Sequence, residues 1–220
     1  QTLARLDGHV NADETLAHCR ELCAAVHIPV SADLENCFAE APEAAAAVLT
    51  RAGATGLVGG SIEDFSNDPK NPMYDFDLAV ERVHASVEAV RAFDFPFVLT
   101  ARAEGLLRRA HDMDEIIRRL QAFEKAGADV LYAPGLTTLD EVRTVTAAVG
   151  KPVNVLVTPF NGVTVEEFAA AGAKRLSIGG ALARLMLGSV MQAGNEMLQQ
   201  GTFNWTAGMA SGGDLKRMLA

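Results

Sequence analysis

Apolar and polar positions change period repeatedly along the chain. Short runs rich in β-branched and aliphatic residues lie at 28–35 (IPVSADLE), 55–64 (TGLVGGSIED), 95–105 (FPFVLTARAEG), 129–136 (DVLYAPGL), 151–158 (KPVNVLVT) and 174–180 (KRLSIGG). Each reads as a strand. Between them come stretches with a helical period at 13–26, 41–53, 77–93, 113–127, 138–150 and 164–172, and one more spans roughly 180–200. Most begin near Asp, Thr or Pro and several stop at Gly, the ordinary signals of helix ends. The segments AGATGL, AGADVL and AGAKRL each close a helix and lead into a strand, so a small repeat marks these joins.

Strands alternating with helices imply a parallel sheet, either open and doubly wound or closed as a barrel. No G-x-G-x-x-G follows the first strand, which weakens the dinucleotide-binding version. Side-chain parity favours the barrel. Thr100, Arg102 and Glu104 share one face while Leu99 and Ala101 take the other, and Asn154 and Thr158 oppose Val153, Val155 and Val157. A polar inside and an apolar outside under helices is the pattern of an α/β fold of the (β/α)8 TIM type. Eight units close such a barrel and six are visible, so the first two strand-helix units are expected to be absent from this chain. The expectation is one barrel domain over 1–220, N-terminally incomplete, in which 201–220 forms a tail and oligomer contact.

Composition narrows the partners. A formal charge of -9, from 28 acidic and 19 basic residues with no basic run, argues against nucleic acid. Every apolar-leaning stretch is broken before the roughly 20 residues a membrane span needs, and the N-terminus carries no signal-peptide pattern. The three cysteines, Cys19, Cys23 and Cys37, have no zinc-ribbon spacing. Cys19 and Cys23, four apart on a helix, read as small core residues, and a reducing cytoplasm is the expected location.

Chemistry is expected where strands end. In a barrel the C-terminal strand ends form the active face. The first strand offers Ser31, Asp33 and Glu35 on one parity, the second Ser61 and Glu63 with Asp64 following, and the third Arg102 and Glu104. Acids crowded at one rim repel unless a cation neutralises them. Mg²⁺, with Mn²⁺ as a substitute, suits such oxygen donors and leaves places for a chelating substrate. Arg102 would then take a substrate carboxylate or phosphonate; the competing reading makes it a structural partner of Glu35, Glu63 or Glu104. Asn154, on the polar face of its strand, is a substrate-binding candidate.

The segment 64–75 (DFSNDPKNPMYD) is too long for a simple turn and reads as a lid. The histidines at 9, 18, 27, 84 and 111 show no metal-ligand spacing, and no G-x-S-x-G elbow is present. SIGGALAR, after the last strand, could cradle a phosphate at Gly179 and Gly180, which keeps a phosphate-binding isomerase or synthase as an alternative.

PVSADLE, GGSIED, YDFDLAVERVHA, LTARAEG, AGADVLYAPGL, PVNVL and KRLSIGG, in this order, resemble the isocitrate lyase/phosphoenolpyruvate mutase superfamily. The resemblance implies a Mg²⁺-dependent barrel enzyme that breaks a carbon-carbon or phosphorus-carbon bond in a small 2-oxo or 2-hydroxy carboxylate through a stabilised enolate. By position, Asp33 and Glu63 match the family's metal-site acids, Asp7 the acid that holds a metal-bound water, and Arg102 the substrate-carboxylate arginine. Ser31 stands where many members carry an Asp, so Glu35 is expected to complete the metal shell. The lid lacks the cysteine and histidine of the lyases that cleave isocitrate or methylisocitrate, and 156–159 reads LVTP in place of their Asn-x-Thr-Glu, so those substrates are not expected. Lys70 and Asn71 resemble the lid residues of the mutase-like members. Cys37 replaces a position the family usually gives to glycine. Homotetramers built as dimers of dimers, or homodimers, are the assemblies the family implies. A non-catalytic member that binds a carboxylate remains the third reading.

Overall fold

The computed structural model describes Arg5 and residues 8–219. It divides into two compact units, the first ending at Ile178 and the second running on from Gly179. In the first, helices and strands alternate without exception: α1 (Ala12–Ala25), β1 (Ser31–Ala32), α2 (Pro42–Gly53), β2 (Gly59–Glu63), α3 (Phe76–Arg91), β3 (Val98–Arg102), α4 (Met113–Lys125), β4 (Val130–Tyr132), α5 (Leu139–Ala148), β5 (Val153–Leu156), α6 (Val165–Ala170) and β6 (Arg175–Ser177). The six strands form one curled parallel sheet in chain order. All six strand-helix alternations legible in the sequence are present.

Local chemistry explains the boundaries. Asn11 with Glu14, Thr138 with Glu141 and Thr164 with Glu167 form reciprocal capping boxes, and Asp112 accepts from the Glu115 N–H. Each satisfies helix N–H groups that would otherwise lack a partner. Gly127 (φ 105°) and Gly172 (φ 94°) take the left-handed conformation that the repeated joins require. In the first copy of the repeat that task falls to Gly56 (φ 96°), while Gly53 admits the Phe93 ring.

The apolar parity of the strands meets the helices. Leu99, Ala101, Leu131 and Val155 are fully buried in one core with Leu49, Leu120, Phe123 and Val142. Removing each large side chain of this kind from water contributes roughly 1.5–3 kcal/mol. On the polar side, Glu63 pairs in register with Arg102, Arg102 with Tyr132, Tyr132 with Asn154 and Asn154 with Arg175. One polar layer therefore crosses five strands, at the C-terminal ends of β2, β3 and β4 and within β5 and β6.

The first strand is shorter than its sequence suggests. Regular pairing stops at Ala32, and the chain turns through Glu35 (φ 51°), Cys37 (φ 57°) and Phe38 (φ 54°). Left-handed backbone costs a non-glycine residue roughly 1–2 kcal/mol, so something must hold this turn. Arg82, 1% exposed on α3, does so: its guanidinium donates to the carbonyls of Asn36 (2.6 Å), Ala39 (2.6 Å) and Glu40 and lies over the Tyr74 ring. Asn36 Nδ2 adds bonds to Ser66 O and Tyr74 Oη, which tie the turn to the 64–75 segment.

That segment is itself hydrogen-bonded. Ser66 N donates to Pro72 O, Lys70 N to Asp68, and Tyr74 N to Asp64 O, while Phe65 and Met73 form an antiparallel bridge. Asp64 anchors its base. Its N–H donates to Arg102 O, Oδ1 accepts from the Glu104 N–H at 2.7 Å, and Oδ2 meets Arg119 at 3.0 Å. Burial pushes the Asp64 carboxyl up to about 6, against the pull of the Glu104 N–H and Arg119. Desolvation thus outweighs the attraction, so this buried pair places the end of β3 more than it stabilises the fold.

In the second unit α7 (Ala181–Gln200) ends at Gly201 (φ 66°), and Glu196 ties its last turns to Thr202 and Asn204. A short 3-10 turn (Asn204–Gly208) and α8 (Gly212–Leu219) follow. None of the α7 residues is buried in the isolated chain. Among the described residues no helix is long and apolar enough to cross a membrane.

Arg82→Met leaves three carbonyls without their donor and should lower the unfolding free energy by about 3 kcal/mol, with faster amide exchange across 35–40 in hydrogen-exchange mass spectrometry. Asp64, raised from an ordinary value of 3.8 to about 6, holds more protons folded than unfolded, so its contribution to stability is full below pH 3.8 and is lost as pH rises through 6. In urea titrations the fall in stability across that window should be shallower in Asp64→Asn than in the parent; equal slopes would refute this.

Candidate active site

The ends of β1, β2 and β3 bring four charged side chains together. Arg102 Nη1 lies 2.5 Å from Asp33 Oδ2, and Nη2 lies 3.1 Å from Glu63 Oε2 and 2.8 Å from Glu104 Oε1. Its Nε also donates to Glu104 Oε1 at 3.0 Å. One guanidinium therefore holds three carboxylates from three strand ends. Ser61 Oγ donates to Asp33 Oδ1 at 3.1 Å, and Glu35 N donates to the same oxygen at 3.0 Å. Tyr132, one strand further, places its ring centre 5.2 Å from the guanidinium carbon.

Burial grades the site from deep to open. The side chains of Glu104 and Glu63 are 0% and 4% exposed, whereas Asp33 keeps 63% of its surface. The protonation balance follows. Burial pushes the Glu63 carboxyl well above the usual range, with Glu104 and Asp33 adding to the rise against Arg102 and Arg108. For Asp33, partial desolvation also acts upward, but Arg102, the Glu35 N–H and Ser61 outweigh it and hold the carboxyl below its ordinary value. Burial opposes the charge on Arg102, yet its three carboxylates raise it further above the usual arginine range. Glu104 Oε2 has no hydrogen-bond partner and meets Arg108 only at 3.5 Å. The group carries more negative than positive charge, and a further cation would relieve it.

Asp33 and Glu63 fit a small divalent cation by chemistry: both are hard oxygen donors, at adjacent strand ends, in a cluster with excess negative charge. Among the described residues, no three His, Cys, Asp or Glu side chains are already gathered in a metal-holding arrangement. Arg102 stands between the acids instead.

Of the residues singled out in the sequence, Asp33, Glu63 and Arg102 converge. Glu35 does not join them through strand parity, because β1 ends at Ala32 and the turn redirects the chain. Its Oε1 accepts from Gly8 N at 3.1 Å, and it lines a cavity of about 920 Å³ with Lys70, Asn71, Tyr74 and His111. Lys70 and Asn71 thus lie along the 64–75 segment facing that cavity and are not in the arginine cluster. Asn154 is fully buried, donating to Ser177 Oγ at 2.9 Å and accepting from Arg175 at 3.3 Å. Asp7 lies outside the described residues.

Glu104, which sequence reasoning places inward and names only as a possible structural partner of Arg102, proves to be the deepest carboxylate and the most extensive partner of that arginine. Tyr132 sits on a three-residue strand too short for parity to mark it. Cys37 is fully buried, and burial pushes its thiol up to about 12, so it is no nucleophile at neutral pH.

Comparison with known proteins shows the family and the fold. The profile of the phosphoenolpyruvate phosphomutase family matches residues 1–198. The 2-methylisocitrate lyase of Escherichia coli K12 is 28% identical over 171 residues, covering 72% of this chain and 55% of that protein. The chain spans about half the length of the curated relatives it matches. A crystal structure from Burkholderia cenocepacia J2315, whose name gives it a provisional lyase/mutase assignment, shares 48% identity with a TM-score of 0.92, covering 96% of this chain and 77% of its own. Phosphonopyruvate hydrolase, solved with oxalate and Mg²⁺, shares the fold at a TM-score of 0.81 and 21% identity, over 96% of this chain and 76% of that one. With the profile spanning nearly the whole sequence, the chain belongs to the phosphoenolpyruvate phosphomutase family.

Proposed function

We propose that this chain forms the catalytic barrel of a Mg²⁺-dependent enzyme that cleaves or transfers at a carbon-carbon or phosphorus-carbon bond of a small 2-oxo or 2-hydroxy carboxylate. The observation that carries this reading is the convergence of Asp33, Glu63 and Arg102 at adjacent strand ends. When bound, the metal supplies Lewis-acid stabilisation of the enolate formed as the bond breaks. Asp33 and Glu63 would hold it, with Mn²⁺ able to substitute, and Glu35 and Asp7 are proposed to complete its surroundings.

The other residues bind and orient. Arg102 takes the substrate carboxylate as a bidentate pair. Glu104, fixed through its backbone by Asp64, holds the Arg102 side chain at the correct depth. Lys70 and Asn71 are proposed to reach the substrate's far end when the 64–75 segment lies over it, and the segment would then exclude water. Asn154 fixes the floor of the site through Ser177. The absence of Cys and His from 64–75 favours oxo-acid or phosphonate chemistry over methylisocitrate cleavage.

We also infer that the six strands are part of an eight-stranded barrel, a reading supported by their consecutive order and polar inner layer. The large exposed apolar residues of α7, among them Leu182, Leu185, Val190 and Met191, support a homodimer or a dimer of dimers. Three free cysteines fit a cytoplasmic setting.

Calorimetry should show oxalate binding that requires Mg²⁺ in the parent chain and is weakened at least about 100-fold in Asp33→Ala, as expected when a metal-ligand set loses a carboxylate. Assays with phosphonopyruvate, oxaloacetate and 2,3-dimethylmalate should find Mg²⁺-dependent turnover of one of them. Absence of both binding and turnover would remove the reading. Glu63→Gln, which relieves the repulsion from Glu104 and Asp33, should lose activity while raising the melting temperature, by about 2–4 °C if the relief is near 1 kcal/mol.

A further inference from the structure

The metal site and the arginine share the same two acids. We propose that Arg102 is an internal competitor of the metal: its guanidinium occupies Asp33 and Glu63 in the metal-free chain and leaves them when the cation arrives. The inference rests on the functional reading above and extends it to the order of events.

The contacts divide into an anchor and a movable part. Nε and Nη2 both bond Glu104 Oε1, at 3.0 and 2.8 Å, and Glu104 is fully buried with its backbone N–H bonded to Asp64. Nη1 reaches outward to Asp33, whose side chain is 63% exposed, and Nη2 makes a longer 3.1 Å contact with Glu63. A divalent ion drawing Asp33 and Glu63 to itself removes the outer contacts and leaves the inner one. Tyr132 lies 5.2 Å from the guanidinium carbon and keeps the charge over an aromatic face meanwhile.

Two consequences follow from the same geometry. The site is a closed set of ion pairs, in which Arg102 partly neutralises the carboxylate charge. Release of Nη1 then turns toward the rim a donor that was fully engaged, so an incoming carboxylate finds Arg102 available only after the cation has bound. Arg102 therefore makes anion binding conditional on metal through a side chain that need not touch the metal.

Titration with Mn²⁺ alone, read as loss of the free-ion electron paramagnetic resonance signal, tests the competition in the full chain. Arg102→Gln should bind Mn²⁺ tenfold or more tightly than the parent, a change of about 1.4 kcal/mol. In parallel, the Arg102 Nη1–H cross-peak of the parent, assigned by its loss in Arg102→Lys, should shift on titration with diamagnetic Mg²⁺ as the bond to Asp33 is lost. Equal or weaker Mn²⁺ binding by Arg102→Gln, with binding retained by the parent, overturns the proposal and leaves the metal site standing. Tighter binding with an unmoved cross-peak also overturns it, because Arg102 would then act only by charge repulsion. If neither protein binds Mn²⁺, the functional reading itself fails and the proposal with it. Should Arg102→Gln fail to fold by circular dichroism, the cross-peak of the parent decides alone: a Mg²⁺-dependent shift supports the competition and an unmoved peak overturns it.

Discussion

One guanidinium holding three carboxylates is the contact on which the site depends. Arg102 reaches Asp33, Glu63 and Glu104, and each acid ends or follows a different strand. Without a cation between them, like charges in so buried a setting would push the strand ends apart or take up protons. Burial, with Glu104 and Asp33 adding to it, pushes the Glu63 carboxyl up against the pull of Arg102. The three contacts of Arg102 hold the cluster together, and the carboxylate charge left over is what a further cation would offset.

The surrounding structure keeps that contact in place. Asp64 fixes the backbone of Glu104, Arg119 fixes Asp64, and the same aspartate closes the base of the 64–75 segment. Arg82 acts similarly at the other side, holding the turn that follows Asp33 through three carbonyls. Neither arrangement is economical in stability. A buried ion pair whose acid is pushed up by desolvation, and a turn with left-handed Glu35, Cys37 and Phe38, both cost free energy that a plain core would not. Their common product is a fixed position for the groups around Arg102.

Much of this was legible in the residues. Capping pairs such as Asn11 with Glu14 and Thr164 with Glu167 announce helix starts, and the parity of Thr100, Arg102 and Glu104 puts them on the polar face. Parity held for Asp33 but failed at Glu35, because it presumes an extended strand and the chain leaves β geometry after Ala32. No glycine marks that turn: the left-handed positions are filled by Glu35, Cys37 and Phe38, whose usual preferences point elsewhere. The partners that hold them, Arg82 and Tyr74, are dozens of residues away, and periodicity carries no information at that range. For the same reason Asn154 could be placed on the inner face while its bonds to Ser177 and Arg175 could not be foreseen.

The central claim is that Asp33 and Glu63 belong to a metal site whose place Arg102 holds in the free chain. A crystal structure grown with Mn²⁺ and oxalate tests it most directly, with anomalous diffraction locating the ion. The account predicts an anomalous peak within coordination distance of Asp33 and Glu63, directly or through water, with Arg102 moved off Asp33 and onto the oxalate. A well-ordered site with Arg102 still bonded to all three carboxylates, and no manganese beside them, would contradict it.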